Sequence, residues 1–477
     1  MRLDHFVGRE AQIRSLRSFF ERPPKSKITA VHGRRRIGKT RLVREAYSDA
    51  RLLSFEGLEG AGSEEQRKHF RNTLYRHSGL ESHRIASARD WTDLLLLLAE
   101  YVKQEPCVLF FDEFPWMAAG RRELVSKLKY VWDQVLAQEA CVHLVLCGSV
   151  SSFLVNKVIQ SRALYGRIDE VIELGPLGFH EVAPGFFGRR SVLEALEYYL
   201  AFGGVPKYLE LHDDRRSIPL NLSDLCFRPG AYFLDELDRL FVSHFGKVRH
   251  YRDIVEFLAH RGFATRSQIG GHLGLDSGGR LSELMDDLCL AGFVEPYSPV
   301  HNPTSTYLRR YRIRDPFLRF YFRFIGPVRD RISRSMDGVP LHKSLPHARY
   351  GVFKGLAFEH FCSQHAGLIA RKLGFSAIAY EHGAWSRKGD LATGAQVDLL
   401  FRRADRVSTV CEVKFRGHVG REVIEEVERK VAALSGFPRH AVEKVLISAL
   451  PPTADLREEG YFTRIITADD LLDDRPL

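Results

Sequence analysis

One eight-residue pattern constrains this chain more than any other. Gly33-x-x-x-x-Gly38-Lys39-Thr40 follows a β-branched run, KITAVH, and leads into TRLVREAY, which suits a helix. Strand, glycine loop, helix is the order in which such a loop closes around phosphates. The backbone N–H groups at the start of the helix point at the anion, and the helix dipole favours it. The pattern therefore predicts that Gly33, Arg34, Arg35, Arg36, Ile37, Gly38, Lys39, Thr40 and Arg41 surround a nucleotide's phosphates. Lys39 is expected to reach the β- and γ-phosphates and Thr40 to ligate Mg²⁺. The implied cofactor is ATP with Mg²⁺.

A second element completes the expectation. VLFFDEF is a buried strand ending in Asp112 and Glu113, some 70 residues after the loop. Asp112 is read as holding Mg²⁺ through water, and Glu113 as orienting and deprotonating the attacking water. A third apolar run, HLVLCGS, ends in Ser149, placed to touch the γ-phosphate or that water. Arg167, after a glycine in SRALYGR, is a candidate to reach a phosphate in its own subunit or a neighbour's. Apolar strands alternate with amphipathic stretches through this part, which argues for an α/β fold with a parallel sheet covered by helices.

FVGRE, GRRRIGKT, FFDEF, LCGS, LYGR and GGVPKYL occur in the order seen in archaeal-type AAA ATPases, close to the STAND class of regulatory ATPases. The resemblance covers about residues 1–225. It implies that Val7, Gly8 and Arg9 lie near the adenine and that GGVPKYL belongs to a helical lid. A homo-oligomer is expected.

Charge draws attention to the middle of the chain. The net charge is +10, and residues 241–350 hold 17 Lys and Arg against 10 Asp and Glu. Such a surplus suits a polyanion. Three short amphipathic helices and two strands between about 240 and 335 outline a winged helix-turn-helix. Its recognition helix, GRLSELMDDLCLAG, carries Arg280 but also Glu283, Asp286 and Asp287, which phosphates would repel. In TYLRRYRIRDPFLRFYFRFIGPVRDRISR arginines interleave with aromatics. Leu318, Tyr321, Phe322 and Ile325 have core spacing, and the basic flanks are candidates for touching DNA.

Residues 351–477 read as a small α/β domain. Asp398 precedes Glu412-x-Lys414 by fourteen residues, both on strand-like runs. Period two puts Glu412 and Lys414 on one face, and a hairpin would bring Asp398 beside them. Glu359, on a preceding amphipathic helix, would add a third carboxylate. An oxygen-rich set of this kind suits Mg²⁺ or Mn²⁺. The layout is similar to the PD-(D/E)XK nuclease superfamily, whose core is αβββαβ. That resemblance implies metal-dependent phosphodiester cleavage by Glu359, Asp398, Glu412 and Lys414. Gln396 departs from the family, which often carries an acid there. A degenerate domain of the same fold would only bind.

The expectation is thus an ATPase that couples nucleotide state to cleavage of nucleic acid, with DNA the expected partner. The alternative is a nucleotide-switched DNA-binding or scaffold protein with a non-cleaving C-terminal domain. Seven scattered cysteines without a CxxC pair read as small buried hydrophobes. The absence of a long uncharged apolar run argues against a membrane partner and for a cytoplasmic protein.

Overall fold

The computed structural model describes residues 6–21, 25–79, 87–103, 105–139, 141–149, 158, 164–245, 248–275, 278–297, 300, 309–387, 395–434, 441–473 and 475. The chain divides into two compact units, 3–176 and 177–477.

The first unit is built on five strands: β1 (Lys27–Gly33), β2 (Leu52–Glu56), β3 (Cys107–Asp112), β4 (Val142–Ser149) and β5 (Ile168–Leu174). Their order is β2-β3-β4-β1-β5 and every pairing is parallel. Parallel strands covered on both faces read as continuous apolar runs, and all six residues of β3 are buried. Helix Trp91–Val102 contributes Leu94, Leu95 and Leu98 to the core. Each fully buried leucine contributes about 1.5–3 kcal/mol. Asp90 fixes the start of that helix, accepting hydrogen bonds from the Thr92 and Asp93 N–H groups at 2.7 and 3.0 Å. Because all five strands run the same way, their C-terminal ends gather the loops at one edge.

The second unit contains two further sheets. One is a small antiparallel sheet of β6 (Ala264–Thr265), β7 (Val294–Tyr297) and β8 (Arg310–Ile313), ordered β6-β8-β7. Helices Arg249–Arg261, Arg266–Leu273 and Gly279–Leu290 accompany it. The other contains β9 (Tyr380–Arg387), β10 (Ala395–Arg403), β11 (Val407–Lys414), β12 (Ala441–Ser448) and β13 (Arg464–Thr467), ordered β13-β12-β11-β10-β9. β9, β10 and β11 pair antiparallel, whereas β11, β12 and β13 pair parallel. Helix His347–Gln364 packs on β10 and β11, and helix Glu422–Ala433 packs on β10.

Two differences of detail appear. The helices after residue 177, within the segment expected to run to about 225, pack with the second unit. Aromatic packing explains this. Phe202 stacks on Phe233 at 4.2 Å and meets Phe320 at 5.6 Å, while Tyr199 meets Phe361 at 5.7 Å. The other difference lies in the arginine–aromatic stretch. Leu318, Tyr321 and Ile325 are buried as expected, but Phe324 takes the core place assigned to Phe322. Residues 321–325 form a turn of π-helix, and its extra residue shifts the phase of everything after it.

The described cysteines are all free thiols. Five of them, Cys107, Cys147, Cys226, Cys362 and Cys411, are buried, and Cys141 and Cys289 are partly so. Among the described residues no helix is long and apolar enough to cross a membrane.

Candidate functional site

The loop between β1 and helix Lys39–Ala46 has backbone that few side chains tolerate. Arg36 and Gly38 both lie in the left-handed region, at φ 68° and 91°. Gly33 has a different reason to be glycine. A Cβ there would come within 2.3 Å of the Leu174 carbonyl oxygen on β5. Lys39 is almost fully buried, yet its ammonium meets no carboxylate. It donates to the Gly33 and Arg34 carbonyls at 3.0 and 3.2 Å and to Ser149 Oγ at 3.3 Å. A cation held only by neutral acceptors is arranged for an incoming anion.

Thr40 Oγ1 donates to Asp112 Oδ2 at 2.7 Å, so the end of β3 is tied to the first turn of the helix. Asp112 Oδ1 accepts from the Glu113 N–H at 3.0 Å. Glu113 itself is left-handed, at φ 45°, and strain of this kind gathers at functional sites. Its carboxylate accepts from Ser149 Oγ at 3.3 Å. The structure therefore brings Lys39, Thr40, Asp112, Glu113 and Ser149 into one connected group, a fit in chemistry to a Mg²⁺-nucleotide.

The other loop residues differ in what they touch. Ile37 is buried. Arg35 pairs with Glu59 at 3.2 Å and covers Trp116 at 4.8 Å, so its guanidinium is engaged away from the lysine. Arg34 is largely buried, Arg36 half-buried and Arg41 exposed, with Arg41 over the Phe6 ring at 5.8 Å. Val7 and Gly8 are half-buried, and Arg9, left-handed at φ 63°, donates to the Gly175 carbonyl. Sequence reasoning missed His32, one residue before the loop. Its Nδ1 is buried without a partner, and burial holds its pKa below the ordinary value against the opposing charge of Glu173.

Arg167 is placed in a bidentate pair with Asp133, Nε to Oδ1 at 2.6 Å and Nη2 to Oδ2 at 2.8 Å. That pairing, with Lys129 alongside, lowers the Asp133 pKa to about 2. In this arrangement the Arg167 guanidinium would have to leave Asp133 to reach a phosphate.

The second group lies in the C-terminal sheet. Leu399 pairs with Cys411 across β10 and β11, so the same register carried one residue further puts Asp398 opposite Glu412. Asp398 Oδ2 accepts from the Val413 N–H at 3.4 Å. The β9–β10 register breaks between Val397 and Leu400, a bulge of the kind that re-aims a side chain. Glu412 is completely buried. Lys414 Nζ stands 2.7 Å from Glu412 Oε1 and 2.9 Å from Glu426 Oε2. Lys430, absent from the sequence reading, stands 2.6 Å from Glu412 Oε2 and 3.1 Å from Glu426 Oε1. Burial, and then the charge of Asp398, push the Glu359 carboxyl up to about 7. Burial also raises Asp398 and Glu412.

The metal set drawn from sequence does not close here. Among the described residues no three carboxylate, imidazole or thiol groups converge as ligands, so Glu359, Asp398 and Glu412 do not form a ready-made ion site. The reason is Lys430, which with Lys414 holds the Glu412 carboxylate. Glu359, Asp398, Glu412 and Glu426 face two lysines, and Glu412 Oε1 has no aligned donor although Lys414 is close.

The basic stretch is also partly neutralised. Arg312 pairs with Glu295 at 2.7 Å, and Arg329 bridges Asp235 and Asp238 at 2.8 and 2.7 Å. In the acidic helix, Asp287 accepts from the Tyr251 hydroxyl at 2.6 Å, a packing role.

Residues 6–211 match a family described as an ATPase domain predominantly from Archaea. This part of the chain is an archaeal-type P-loop ATPase domain. The chain is also 25% identical over 424 residues to the protein MJECL04 of Methanocaldococcus jannaschii, covering 88% of this chain and 89% of that one. Among solved structures it is similar to the Walker-type ATPase PABY2304 of Pyrococcus abyssi, with a TM-score of 0.48 and 20% identity, covering 67% of this chain and 96% of the other. It is likewise similar to the ORC2 protein of Aeropyrum pernix, with a TM-score of 0.45 and 14% identity, covering 70% and 96%.

Proposed function

We propose that the chain is an ATP-hydrolysing switch that acts on nucleic acid, with DNA as the substrate or partner. The observation that carries the ATPase half is Lys39, buried and bonded only to neutral oxygens, beside the Thr40–Asp112 hydrogen bond. Thr40 and Asp112 would hold Mg²⁺, which would neutralise charge on the phosphates. Lys39 binds the β/γ-phosphates. Glu113, steadied by Ser149, takes the proton of the attacking water. Val7, Gly8 and Arg9 flank the base. Self-assembly belongs to this reading and is measured by light scattering with and without ATP.

For the C-terminal half we infer a metal-dependent nuclease. The order helix, β9, β10, β11, helix, β12 supports the PD-(D/E)XK likeness. Glu359, Asp398 and Glu412 would hold Mg²⁺ or Mn²⁺, which would stabilise charge on the phosphate and activate water. Lys414, held between Glu412 and Glu426, supplies positive charge beside the scissile phosphate. Opening this site requires the Glu412 carboxylate to part from Lys430. Three helices around the β6-β8-β7 sheet support a winged helix, with exposed Arg323, Arg331 and Arg334 available to phosphates.

A second reading, a domain that binds without cutting, is favoured by the lysine-locked Glu412. Incubating the protein with plasmid, ATP and Mg²⁺ or Mn²⁺ separates the two. The nuclease reading expects cleavage that disappears in Asp398→Ala. Intact plasmid at all metal concentrations, with ATP still hydrolysed, overturns it and leaves the binding module.

A further inference from the structure

The helix His347–Gln364 has a second face besides the one that carries Glu359. Arg349, Val352, Phe353, Leu356, Ala357 and His360 recur at three- and four-residue intervals and line one side of a cleft of about 370 Å³. Leu258, Ile313, Arg319, Phe322 and Arg323 line it from other elements of the same unit. The lining is mostly apolar and includes three arginines and two histidines, His260 and His360, with no acidic residue.

Arg319 is the unusual member. Its Nε and Nη1 are buried with no hydrogen-bond partner. Burial pushes its pKa down to about 10. The nearest acid in charge, Glu295, is already engaged by Arg312 at 2.7 Å. His360 Nδ1, on the facing helix, is likewise buried without a partner. A partly buried cation whose Nε and Nη1 have no acceptor is costly, and the cost is relieved when an anion arrives. Apolar walls around that cation select against a bare, strongly hydrated ion and for one attached to an apolar body.

We propose that this cleft binds a small organic anion, an apolar or aromatic body bearing one phosphate or carboxylate group. The oxyanion pairs with Arg319, and the body lies against Val352, Phe353 and Leu356. The ligand would therefore press on the helix that carries Glu359. Binding itself does not depend on the nuclease reading.

The test uses the full chain carrying Lys39→Ala, so that phosphate compounds do not bind the loop after β1. 1-Naphthyl phosphate and 1-naphthoate are titrated by fluorescence, with inorganic phosphate and 1-naphthol as halves of the probe. Saturable binding of at least one naphthyl anion is expected, at least tenfold tighter than either half. Which of the two binds tighter identifies the oxyanion. Arg319→Met should weaken binding at least tenfold without lowering the melting temperature, because it removes an unpaired cation. Leu356→Glu, at an exposed position of the cleft, should do the same by adding a negative charge, and it serves if the first variant fails to fold. The proposal is overturned if neither naphthyl anion saturates the parent, or if both variants bind like it. It is also overturned if a single-stranded oligonucleotide displaces the probe more tightly than either anion binds, since the cleft would then serve a polymer.

Discussion

The ATPase site and the C-terminal cluster use similar side chains in opposite electrostatic states. At the first, Lys39 is buried among carbonyls and a hydroxyl, with positive charge left to satisfy. At the second, Lys414 and Lys430 are each bound by the same two carboxylates, Glu412 and Glu426. One site is short of an anion, and at the other each lysine already has its carboxylates. Strand ends and adjacent strands can each assemble a lysine with acids. What separates the sites is whether the acids face the lysine or are tied elsewhere, as Asp112 is tied to Thr40 and Glu113 to Ser149.

The largest effect should come from removing the unmatched charge. Lys39→Ala should lower ATP turnover by about 10²–10³-fold, as for loss of one charge-stabilising donor. Turnover at the parental rate would break the comparison at its first half. Glu113→Gln should keep nucleotide binding while reducing hydrolysis by about 10²–10⁴-fold, the usual range for a general base. Nucleotide binding and single-turnover hydrolysis measured together check this.

The matched lysine should behave differently. Lys430→Met leaves Glu412 buried without its partner and should cost about 3–5 kcal/mol of stability. Mn²⁺ should restore more of the lost melting temperature in this variant than it adds to the parent. Equal shifts in both would show that Lys430 does not stand where the cation acts.

Arg167 and Asp133 offer a smaller test. As a partly exposed pair they should couple by about 0.2–1 kcal/mol in a double-mutant cycle. If the pair is structural, Arg167→Ala and Asp133→Asn should change ATP hydrolysis alike. A loss of hydrolysis in Arg167→Ala alone would return Arg167 to the phosphates.

The last effect is one of pH. His143 is buried between Thr29 Oγ1 at 2.8 Å and the Tyr47 hydroxyl at 2.6 Å, and burial lowers its pKa well below the ordinary value. The unfolded chain then takes up the proton first. Its contribution to stability is therefore full above about pH 6.5 and is lost as pH falls below that. Melting temperatures from pH 8 to pH 5 should drop less steeply in His143→Gln than in the parent.

Much of the first site was legible because its determinants are local. The loop, the end of β3 and the end of β4 are short contiguous strings, and a parallel sheet brings such ends to one edge. The Asp398, Glu412 and Lys414 grouping was legible for a similar reason, since a hairpin joins them. Lys430 and Glu426 were not, because they lie on a helix whose docking face is decided by the sheet beneath it. Only their i, i+4 spacing hinted that they act together. Asp133 was hidden in the same way from Arg167, and the π-turn at 321–325 shifted Phe324 into a place that a regular helix would give to Phe322. The docking of the helices after residue 177 was not written in composition, because it rests on the aromatic packing of Tyr199 and Phe202.

The most direct measurement is Mn²⁺ binding to the nucleotide-free Lys39→Ala protein, followed by isothermal titration and by the electron paramagnetic resonance of the free ion. The account predicts one bound ion that is lost in Asp398→Ala. No bound ion, or an ion retained unchanged when Asp398 is removed, would contradict the proposed metal site at the C-terminal cluster.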